Sequence, residues 1–414
     1  MWELGEHFRK YADDYRDAVH EQFFLMVPEA RQVFSLSMQD THRSMVHALA
    51  WVIEHAEPSS AGTKAGSGTG VGAALPEAVR EKIAQLGRDH RRHGFPAEVY
   101  ARFEEALIKG LRVLALTWYQ YDFASAVIHE VCAEMATAAR EADLAGEAPA
   151  YSGQVVAVER PTRETAVIRV EAGMPADFEP GQYFPVTTQY LPGQWRMLTP
   201  AQPSDATGQL VFHVAAVSAA SRSLAHTKPG DWWTLGRPTG SIWQDLRALR
   251  GGRLVIVAYG TGWAAARCLA LAARQAADAG EEGLAKNLDL QIFAVADSPG
   301  AHYDTHFQQN LAALYPDLSL RRIIRQENDP WLLGARPLAD AATLTLSPDP
   351  TDVVVNEVEL STGTPTYFAL FGSAEEVAEG RRGLEKRGIG KQWILSHSWG
   401  RDREWLPEDY AAQS

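Results

Sequence analysis

The sequence has few cysteines, no long apolar run and no excess of positive charge. Only two cysteines, Cys132 and Cys268, occur in 414 residues, too few for a disulfide framework or a cysteine-rich zinc or iron–sulfur site. No apolar stretch reaches the length of a transmembrane span, and the opening residues MWELGEHFRK do not resemble a signal peptide. The formal net charge of −13 disfavours nucleic acid or an anionic membrane as the main partner. We therefore expect a cytoplasmic protein.

The length and the residue pattern predict several domains. A chain of 414 residues is long for one hydrophobic core, and 46% hydrophobic residues is ordinary for a globular protein. The pattern changes twice along the chain, which predicts domains at residues 1–146, 150–245 and 246–414.

The first segment has helical spacing almost throughout. Apolar residues recur at helical intervals, and Pro76 with Glu77 marks one helix start. The predicted helices cover residues 11–27, 44–56, 75–90, 96–116 and 122–143. The Gly/Ser/Thr-rich stretch 59–75 is interpreted as a mobile connection. An all-α domain is expected.

The second and third segments show strand patterns of two kinds. Between residues 150 and 245, short β-branched or aromatic runs alternate with turn signals such as EPGQ and KPGD, which predicts an antiparallel barrel. From about residue 250, buried strands alternate with helices, which predicts an α/β domain with a parallel sheet. The stretch 325–366 breaks this rhythm and offers only a possible strand at 352–360.

A glycine turn opens the third segment. VIVAYGTGWAAA reads as a strand, a turn and a helix, and Gly260 and Gly262 would let the backbone approach a phosphate at the helix start. Ala265 replaces the third glycine of a dinucleotide fingerprint, and Asp297 lies too far along the chain to be the usual ribose acid. Taken alone, the motif fits equally well a tight turn that binds nothing.

Three barrel residues have side chains suited to a flavin nucleotide. Arg196 offers a forked donor for a pyrophosphate, Tyr183 a flat ring with a hydroxyl, and Ser221 a hydroxyl and an amide for phosphate oxygens. Considered singly, Arg196 could be a surface ion pair and Tyr183 a half-buried strand residue. Their order along the chain favours the functional interpretation.

Residues 150–414 resemble the ferredoxin-reductase-like flavoprotein module, an FAD-binding barrel followed by a nicotinamide-nucleotide domain. Residues 196–199 stand at the FAD motif Arg-x-Tyr-Ser, with Leu198 in place of the aromatic residue. Residues 371–373 stand at Cys-Gly-Pro without its thiol and proline. Trp399 falls where the family carries an aromatic residue over the flavin, and His397 where many members carry an acid. The resemblance assigns cofactor binding to Tyr183, Arg196, Met197, Leu198, Thr199, Ser221, Gly260, Thr261, Gly262, Trp263, Ala264, Ala265, Gly372 and Trp399.

With a helical segment in front, the whole chain resembles a flavohaemoglobin: globin, FAD barrel and NAD(P) domain, in that order. FFLMVPEARQVF is similar to the family's turn toward a haem-packing phenylalanine, here Phe34. LGRDHRRHGFPAEVY is similar to its proximal segment, in which a histidine precedes a tyrosine by ten residues, as His90 precedes Tyr100.

The resemblance implies roles around the iron of haem b. His90 would be its axial ligand, with Tyr100 and a carboxylate, Asp143 or Glu141, supporting the imidazole. His20 takes the place of the distal tyrosine and could either donate to bound oxygen or ligate the iron. The alternative for His90 is a solvated helix histidine.

The distal glutamine of the family aligns best with Thr41, next to His42. For His20 and His42, solvent exposure remains an even alternative. His93 is expected on the surface.

Three functions are compatible with this reading. The first is an NAD(P)H-dependent oxidoreductase in which electrons pass through FAD to haem and oxygen oxidises nitric oxide to nitrate. The second is a haem-based sensor or ligand-binding protein with a degenerate reductase, and the third is a flavin reductase whose globin domain is structural. The expected cofactors are haem b, FAD and NAD(P)H, and the expected partners are these and the small molecules oxygen and nitric oxide. A monomer or homodimer is expected.

Overall fold

The computed structural model describes most of the chain. The described residues are 2–33, 39–59, 71–191, 194–240, 242–247, 252–278, 288–315, 318–329, 344–358 and 365–399. They divide into two compact units, one up to Ala150 together with Gln194 and one formed by Tyr151–Leu191 and the described residues from Trp195 to Trp399. Within these ranges no helix is both long enough and apolar enough to cross a membrane.

The first unit is helical, as the sequence predicts. Its helices are α1 Trp2–Lys10, α2 Ala12–Met26, α3 Ala30–Val33, α4 Gln39–His55, α5 Glu77–His90, α6 Val99–Gly110 and α7 Trp118–Leu144. Pro28 separates α2 from α3, since a proline cannot donate within a helix. Thr117 begins α7 with a capping box in which its hydroxyl accepts from the amide of Gln120 and the Gln120 side chain accepts from the amide of Thr117.

A short hairpin interrupts the helices. Strand β1, Glu57–Ser59, pairs antiparallel with β2, Gly72–Ala74. The prediction of helices alone misses this pair, because three-residue strands carry almost no periodic signal. Residues 60–70, in the Gly/Ser/Thr-rich stretch, lie outside the described residues.

One glycine sets how closely α5 packs on α7. A Cβ atom at Gly87 would lie 2.5 Å from the carbonyl oxygen of Met135. The two backbones are therefore in contact at a point where no side chain fits. This crossing holds the end of α5, with His90, against the last helix.

The first half of the second unit is a nearly closed antiparallel sheet. Its strands are β3 Ala150–Glu159, β4 Thr165–Ala172, β5 Phe184–Thr188, β6 Arg196–Leu198, β7 Gln209–Ala215 and β8 Trp232–Gly236. They are ordered β6-β5-β8-β3-β4-β7, and a bridge between Pro200 and Phe212 joins the chain after β6 to β7. The predicted barrel is confirmed, with Phe184, Phe212 and Trp233 in its core.

The second half is a parallel sheet covered by helices. Its strands are β9 Gly252–Tyr259, β10 Leu288–Ala296, β11 Ser319–Ile324, β12 Leu344–Leu346, β13 Thr366–Ser373 and β14 Ile394–Trp399, in the order β12-β11-β10-β9-β13-β14. The helices of the second unit are α8 Ala219–Ala225, α9 Ile242–Arg247, α10 Trp263–Asp278, α11 Thr305–Leu314, α12 Pro350–Glu357 and α13 Ala374–Lys386. The predicted α/β architecture is confirmed.

The possible strand at 352–360 is wrong, because residues 350–357 form α12. The Asp349 carboxylate accepts from the amide of Thr351, and Pro350 occupies the first helical position. These start signals outweigh the strand preference of the valines, and Val354 and Val358 pack in the core beside the sheet.

We expect Gly87→Ala to destabilise the helical unit by about 1–3 kcal/mol, because the new methyl group must push two backbones apart. Urea unfolding followed by far-ultraviolet circular dichroism measures this. Glu81→Ala, an exposed position on the same helix, is the control and should change stability by less than about 0.5 kcal/mol. An equal effect of both substitutions would contradict the close crossing.

Candidate functional site

The ring of His90 is oriented by a hydrogen bond to its own helix. It is the last residue of α5, and its Nδ1 lies 2.9 Å from the backbone carbonyl oxygen of Leu86. A carbonyl only accepts, so Nδ1 carries the proton and donates. This tautomer puts the lone pair on Nε2, which is the form that a haem iron binds. The side chain is exposed in the protein alone.

Tyr100 lies close to this helix end. It is on α6, half-buried, and its hydroxyl interacts electrostatically with the Asp89 carboxylate beside His90 and with Cys132 of α7. Burial, more than these neighbours, raises the pKa of Tyr100 well above its usual value. The hydroxyl therefore stays protonated and can donate a hydrogen bond at neutral pH.

The carboxylate expected to support His90 has another partner. Asp143 accepts from the neighbouring Arg91, whose Nε lies 2.8 Å from Oδ1, and Arg91 Nη2 also donates to the Glu147 carbonyl oxygen at 2.6 Å. The Arg91 side chain is only 6% exposed, so this cation needs both acceptors. Glu141 is exposed. The acceptor on His90 Nδ1 is thus a backbone carbonyl, not the predicted Asp143 or Glu141.

His20 and His93 are both half-buried. The His20 ring stacks on Phe24 at 5.3 Å, and burial, with Arg16 nearby, lowers its pKa. The His93 ring lies 5.5 Å from that of His90, and burial lowers its pKa well below the usual value. Both imidazoles are neutral at pH 7. His93 is half-buried, so the prediction that it lies on the surface is wrong.

Part of the predicted haem surroundings falls outside the structural description. Phe34 lies outside the described residues, as do the side chains of Thr41 and His42. Their assignments remain predictions from the resemblance.

Two buried hydroxyl groups flank Tyr183 on the barrel. Tyr183 pairs with Thr239 on one side, and the β5–β6 register, extended by one residue, places Thr199 on the other. Residues paired across antiparallel strands point to the same face, so all three side chains share one surface. Within the described chain, the buried Oγ1 atoms of Thr199 and Thr239 have no hydrogen-bond partner. Such atoms are costly unless a ligand or water binds them, and they fit the polar edge of a flavin.

Aromatic rings cover the same surface. The Tyr183 ring lies 5.0 Å from the His397 ring, which lies 5.9 Å from Phe371. Gly240, with φ of 111°, leaves room here, since a Cβ would lie 3.2 Å from the Tyr183 ring. Burial lowers the pKa of His397 to about 4, so a neutral imidazole stands where the resemblance implied an acid. The Trp399 side chain is outside the description.

The remaining predicted flavin residues are held by the barrel itself. Arg196 donates to the adjacent Trp195 carbonyl oxygen at 2.7 Å. Met197 is buried, and Leu198 packs against the barrel core instead of presenting an aromatic ring.

Ser221 does not present the donors predicted for a phosphate. Its hydroxyl accepts from the amide of Ser218 at 2.9 Å, and its amide donates to the Ser218 hydroxyl at 3.2 Å. The two serines form a capping box that closes the start of α8. The sequence alone did not reveal this, because Ser218 and Ser221 are both favourable N-cap residues and the pattern does not show which of them begins α8.

The glycine turn lies where the parallel sheet ends. Gly260 adopts φ of 51°, and a Cβ on Gly262 would lie 2.2 Å from the Phe371 carbonyl oxygen. Gly260 is therefore needed for its backbone conformation and Gly262 for close packing on β13. Thr261 lies between them, and Trp263, Ala264 and Ala265 form the buried first turn of α10. Gly372, next to Phe371 on β13, packs against Tyr259 at the end of β9.

Charge distinguishes the two helix starts at this edge. Helix α10 has no acidic residue in its first turn. Helix α13 has Glu375 and Glu376 there, and Ser373 and Glu376 form its capping box. A phosphate group is therefore favoured at α10 and repelled at α13.

Asp297 follows β10 at the same edge of the sheet as the glycine turn, although many residues separate the two in sequence. Strand β10 pairs directly with β9, with Val295 opposite Tyr259, so the residues that follow both strands meet at one edge. The Asp297 side chain is 78% exposed and lies 3.8 Å from Arg325 Nε. A position after a buried strand would have been the better signal than the number of intervening residues.

Three histidines of the second unit, buried His213 and half-buried His302 and His397, are neutral at pH 7. Burial lowers the pKa of His213 to about 3, with a contribution from Arg267, and those of His302 and His397 to about 4. The unfolded chain takes up a proton on each near pH 6.5, whereas the folded chain does not. These groups cost no stability above pH 6.5, and stability is lost as the pH falls from 6.5 toward 4.

We expect the unfolding free energy of the second unit to fall by about 1.4 kcal/mol per pH unit for each such histidine in this window. Urea titrations at pH 7.5, 6.0 and 5.0, followed by tryptophan fluorescence, measure the slope. His213→Gln should reduce the slope by about one proton, while His226→Gln, at an exposed position, should not. Identical slopes for both variants would refute the assignment.

Comparison with known proteins gives a partial relative and a nearly full-length structural match. The chain is 29% identical over 175 residues to the ferredoxin–NAD(P)(+) reductase component of the naphthalene 1,2-dioxygenase system of Pseudomonas putida, covering 42% of this chain and 49% of that protein. The chain thus spans about half the length of this curated relative. No protein-family model matches the sequence.

Among solved structures, the chain is similar to a flavohaemoglobin from Malassezia yamatoensis, crystallised with bound FAD and haem. The TM-score is 0.67 at 16% identity, and 95% of this chain and 96% of that chain are covered. The chain therefore has a flavohaemoglobin-like fold over nearly its whole length.

Proposed function

We propose that this protein is an NAD(P)H-dependent oxidoreductase that passes electrons through FAD to haem b and oxidises nitric oxide with oxygen to nitrate. The observation that carries the proposal is the tautomer and position of His90, in a chain whose fold matches that of a protein with bound FAD and haem. The reaction of nitric oxide with oxygen to give nitrate consumes one electron. The haem therefore needs a reductase module that supplies this electron.

FAD, when bound, takes two electrons as a hydride and releases them singly, and haem, when bound, supplies an iron that takes one electron and binds oxygen. On the haem side, His90 would hold the iron through Nε2, while the Leu86 carbonyl fixes the ring through Nδ1. Neutral Tyr100 is a donor next to this helix end. Neutral His20 can either donate a hydrogen bond to a bound molecule or offer a lone pair.

On the flavin side, the barrel supplies shape and hydrogen bonds. The Thr199 and Thr239 hydroxyls would gain the partner that they lack in the protein alone. The Tyr183 and His397 rings provide an apolar wall, and the neutral imidazole adds no charge beside a flavin.

On the nucleotide side, the start of α10 would hold a pyrophosphate on backbone amides, and Asp297 would accept from ribose hydroxyls. All partners in this scheme are small molecules, and we propose that the protein works in the cytoplasm without nucleic acid or membrane.

An absorption spectrum during anaerobic reduction tests the scheme. Purified protein should show haem and flavin bands, and NADH should convert the haem to its ferrous form. His90→Ala should lose the haem band while retaining flavin reduction by NADH, because only the iron ligand is removed. His129→Ala, an exposed α7 histidine that bonds to Glu104, should keep both.

Each contrary outcome has a distinct meaning. Haem without flavin would overturn electron transfer and favour a haem-based ligand-binding or sensor protein. Flavin without haem in the unaltered protein, or unchanged nitric oxide turnover in His90→Ala, would favour a flavin reductase with a structural helical unit.

We further expect NADH to be preferred over NADPH, because the Asp297 carboxylate would repel a 2′-phosphate. Asp297→Asn should shift the ratio of kcat/KM values toward NADPH by about tenfold. Asp289→Asn, which breaks an ion pair with Arg253 at the opposite end of β10, is the control and should leave the ratio unchanged. A preference for NADPH in the unaltered protein would show that Arg325, not Asp297, dominates this position.

A further inference from the structure

The Asp304 carboxylate anchors the start of α10 through two hydrogen bonds. Asp304 Oδ2 accepts from the indole Nε1 of Trp263 at 2.8 Å and from Arg267 Nη1 at 2.9 Å. Trp263 directly follows Gly262 and is 1% exposed. Both donors thus belong to the first two turns of the helix that begins at the glycine turn. Residues 264–266 between them are alanines and offer no other polar contact.

The backbone at Asp304 is strained in a way that this contact explains. Asp304 adopts φ of 57°, one of two non-glycine residues in the left-handed region within the described chain. It also stands at the N-cap of α11, where an aspartate normally accepts from that helix, yet it makes no such bond. The side chain is directed to α10 instead of capping its own helix. Strain of this kind persists only where the surroundings hold the residue in place.

The surroundings of Asp304 fix it on several sides. The Arg267 guanidinium stacks on Phe307 of α11, with its carbon 3.7 Å from the ring centroid. The Tyr303 hydroxyl lies 3.0 Å from Nδ1 of His213, a buried residue of barrel strand β7. The amide of Gln308 donates to the Asp304 carbonyl oxygen at 3.0 Å. Asp304 therefore lies at a point held by contacts of its neighbours with the barrel, α10 and α11, and Arg267 compensates its charge.

The glycine turn is bounded on its other side by β13. Gly262 already touches the Phe371 carbonyl oxygen, so the turn cannot move closer to that strand. Movement away from β13 is limited through Trp263 and Arg267 by Asp304. The backbone amides proposed to bind a pyrophosphate are thus held between the backbone of β13 and the Asp304 carboxylate.

We propose that Asp304 is a positioning residue for the nucleotide turn, acting through the Trp263 indole and Arg267 on the amides at the start of α10. The inference rests on the proposed nucleotide binding by this turn. It assigns a role to a residue that lies behind the turn and has no direct contact with a nucleotide.

Two substitutions separate positioning from charge. Asp304→Asn keeps the size of the side chain and removes its charge, and Trp263→Phe keeps an aromatic ring but removes the indole N–H together with part of the buried ring volume. We expect both to raise the Kd of ADP-ribose for the purified holoprotein, measured by calorimetry, by about tenfold or more, since small displacements of a binding group have effects of this size. The KM for NADH should rise with kcat little changed, and FAD content should be unaffected.

Asp289→Asn is the matched control, since it breaks the ion pair with Arg253 in the same sheet, and it should leave the Kd unchanged. Unchanged ADP-ribose affinity in Trp263→Phe, with or without a lower melting temperature, would overturn the proposal and leave Asp304 a structural residue. Tighter binding of ADP-ribose by Asp304→Asn would overturn it as well, because the uncompensated charge of Arg267 would then affect affinity more than the position of the turn does. No binding of ADP-ribose by the unaltered protein would instead refute the proposed nucleotide site.

Discussion

The second unit depends on β9, the strand buried on both faces in the middle of the parallel sheet. Its residues alternate between two apolar cores, with Leu254, Ile256 and Ala258 on one face and Val255 and Val257 on the other. Its backbone pairs with β10 and β13, so no part of it can shift without breaking bonds on both sides. The glycine turn is the direct continuation of this strand and takes its fixed position from it.

Buried and half-buried polar groups of the second unit join its parts. Asp304 binds two donors of α10, Tyr303 binds His213 on the barrel, and Arg267 lies on Phe307. Such groups are stable only if their partners stay in place, which makes the junction between the two sheets specific as well as cohesive. The histidines of this unit are neutral and stable in the folded chain at neutral pH. In acid, protonation of the same residues favours the unfolded chain.

In the helical unit, close backbone contact and one ion pair decide where His90 lies. Gly87 lets α5 meet α7, and Arg91 binds Asp143 and the Glu147 carbonyl at the end of the same helix. Position and tautomer of His90 therefore come from backbone atoms and from the residue next to it. An arginine is always charged and binds a nearby carboxylate more strongly than a neutral imidazole does, which explains why Asp143 is the partner of Arg91 and not of His90.

The order of helical, antiparallel and α/β regions, the glycine turn and the spacing of His90 and Tyr100 can be read from the residues alone, because periodicity and turn residues are local. The folded chain was needed to find the partners of Asp143 and Ser221, the position of Asp297 at the same sheet edge as the turn, and the row of Thr199, Tyr183 and Thr239. Those depend on strand order and on competition among neighbouring polar groups, and neither is written in residue spacing.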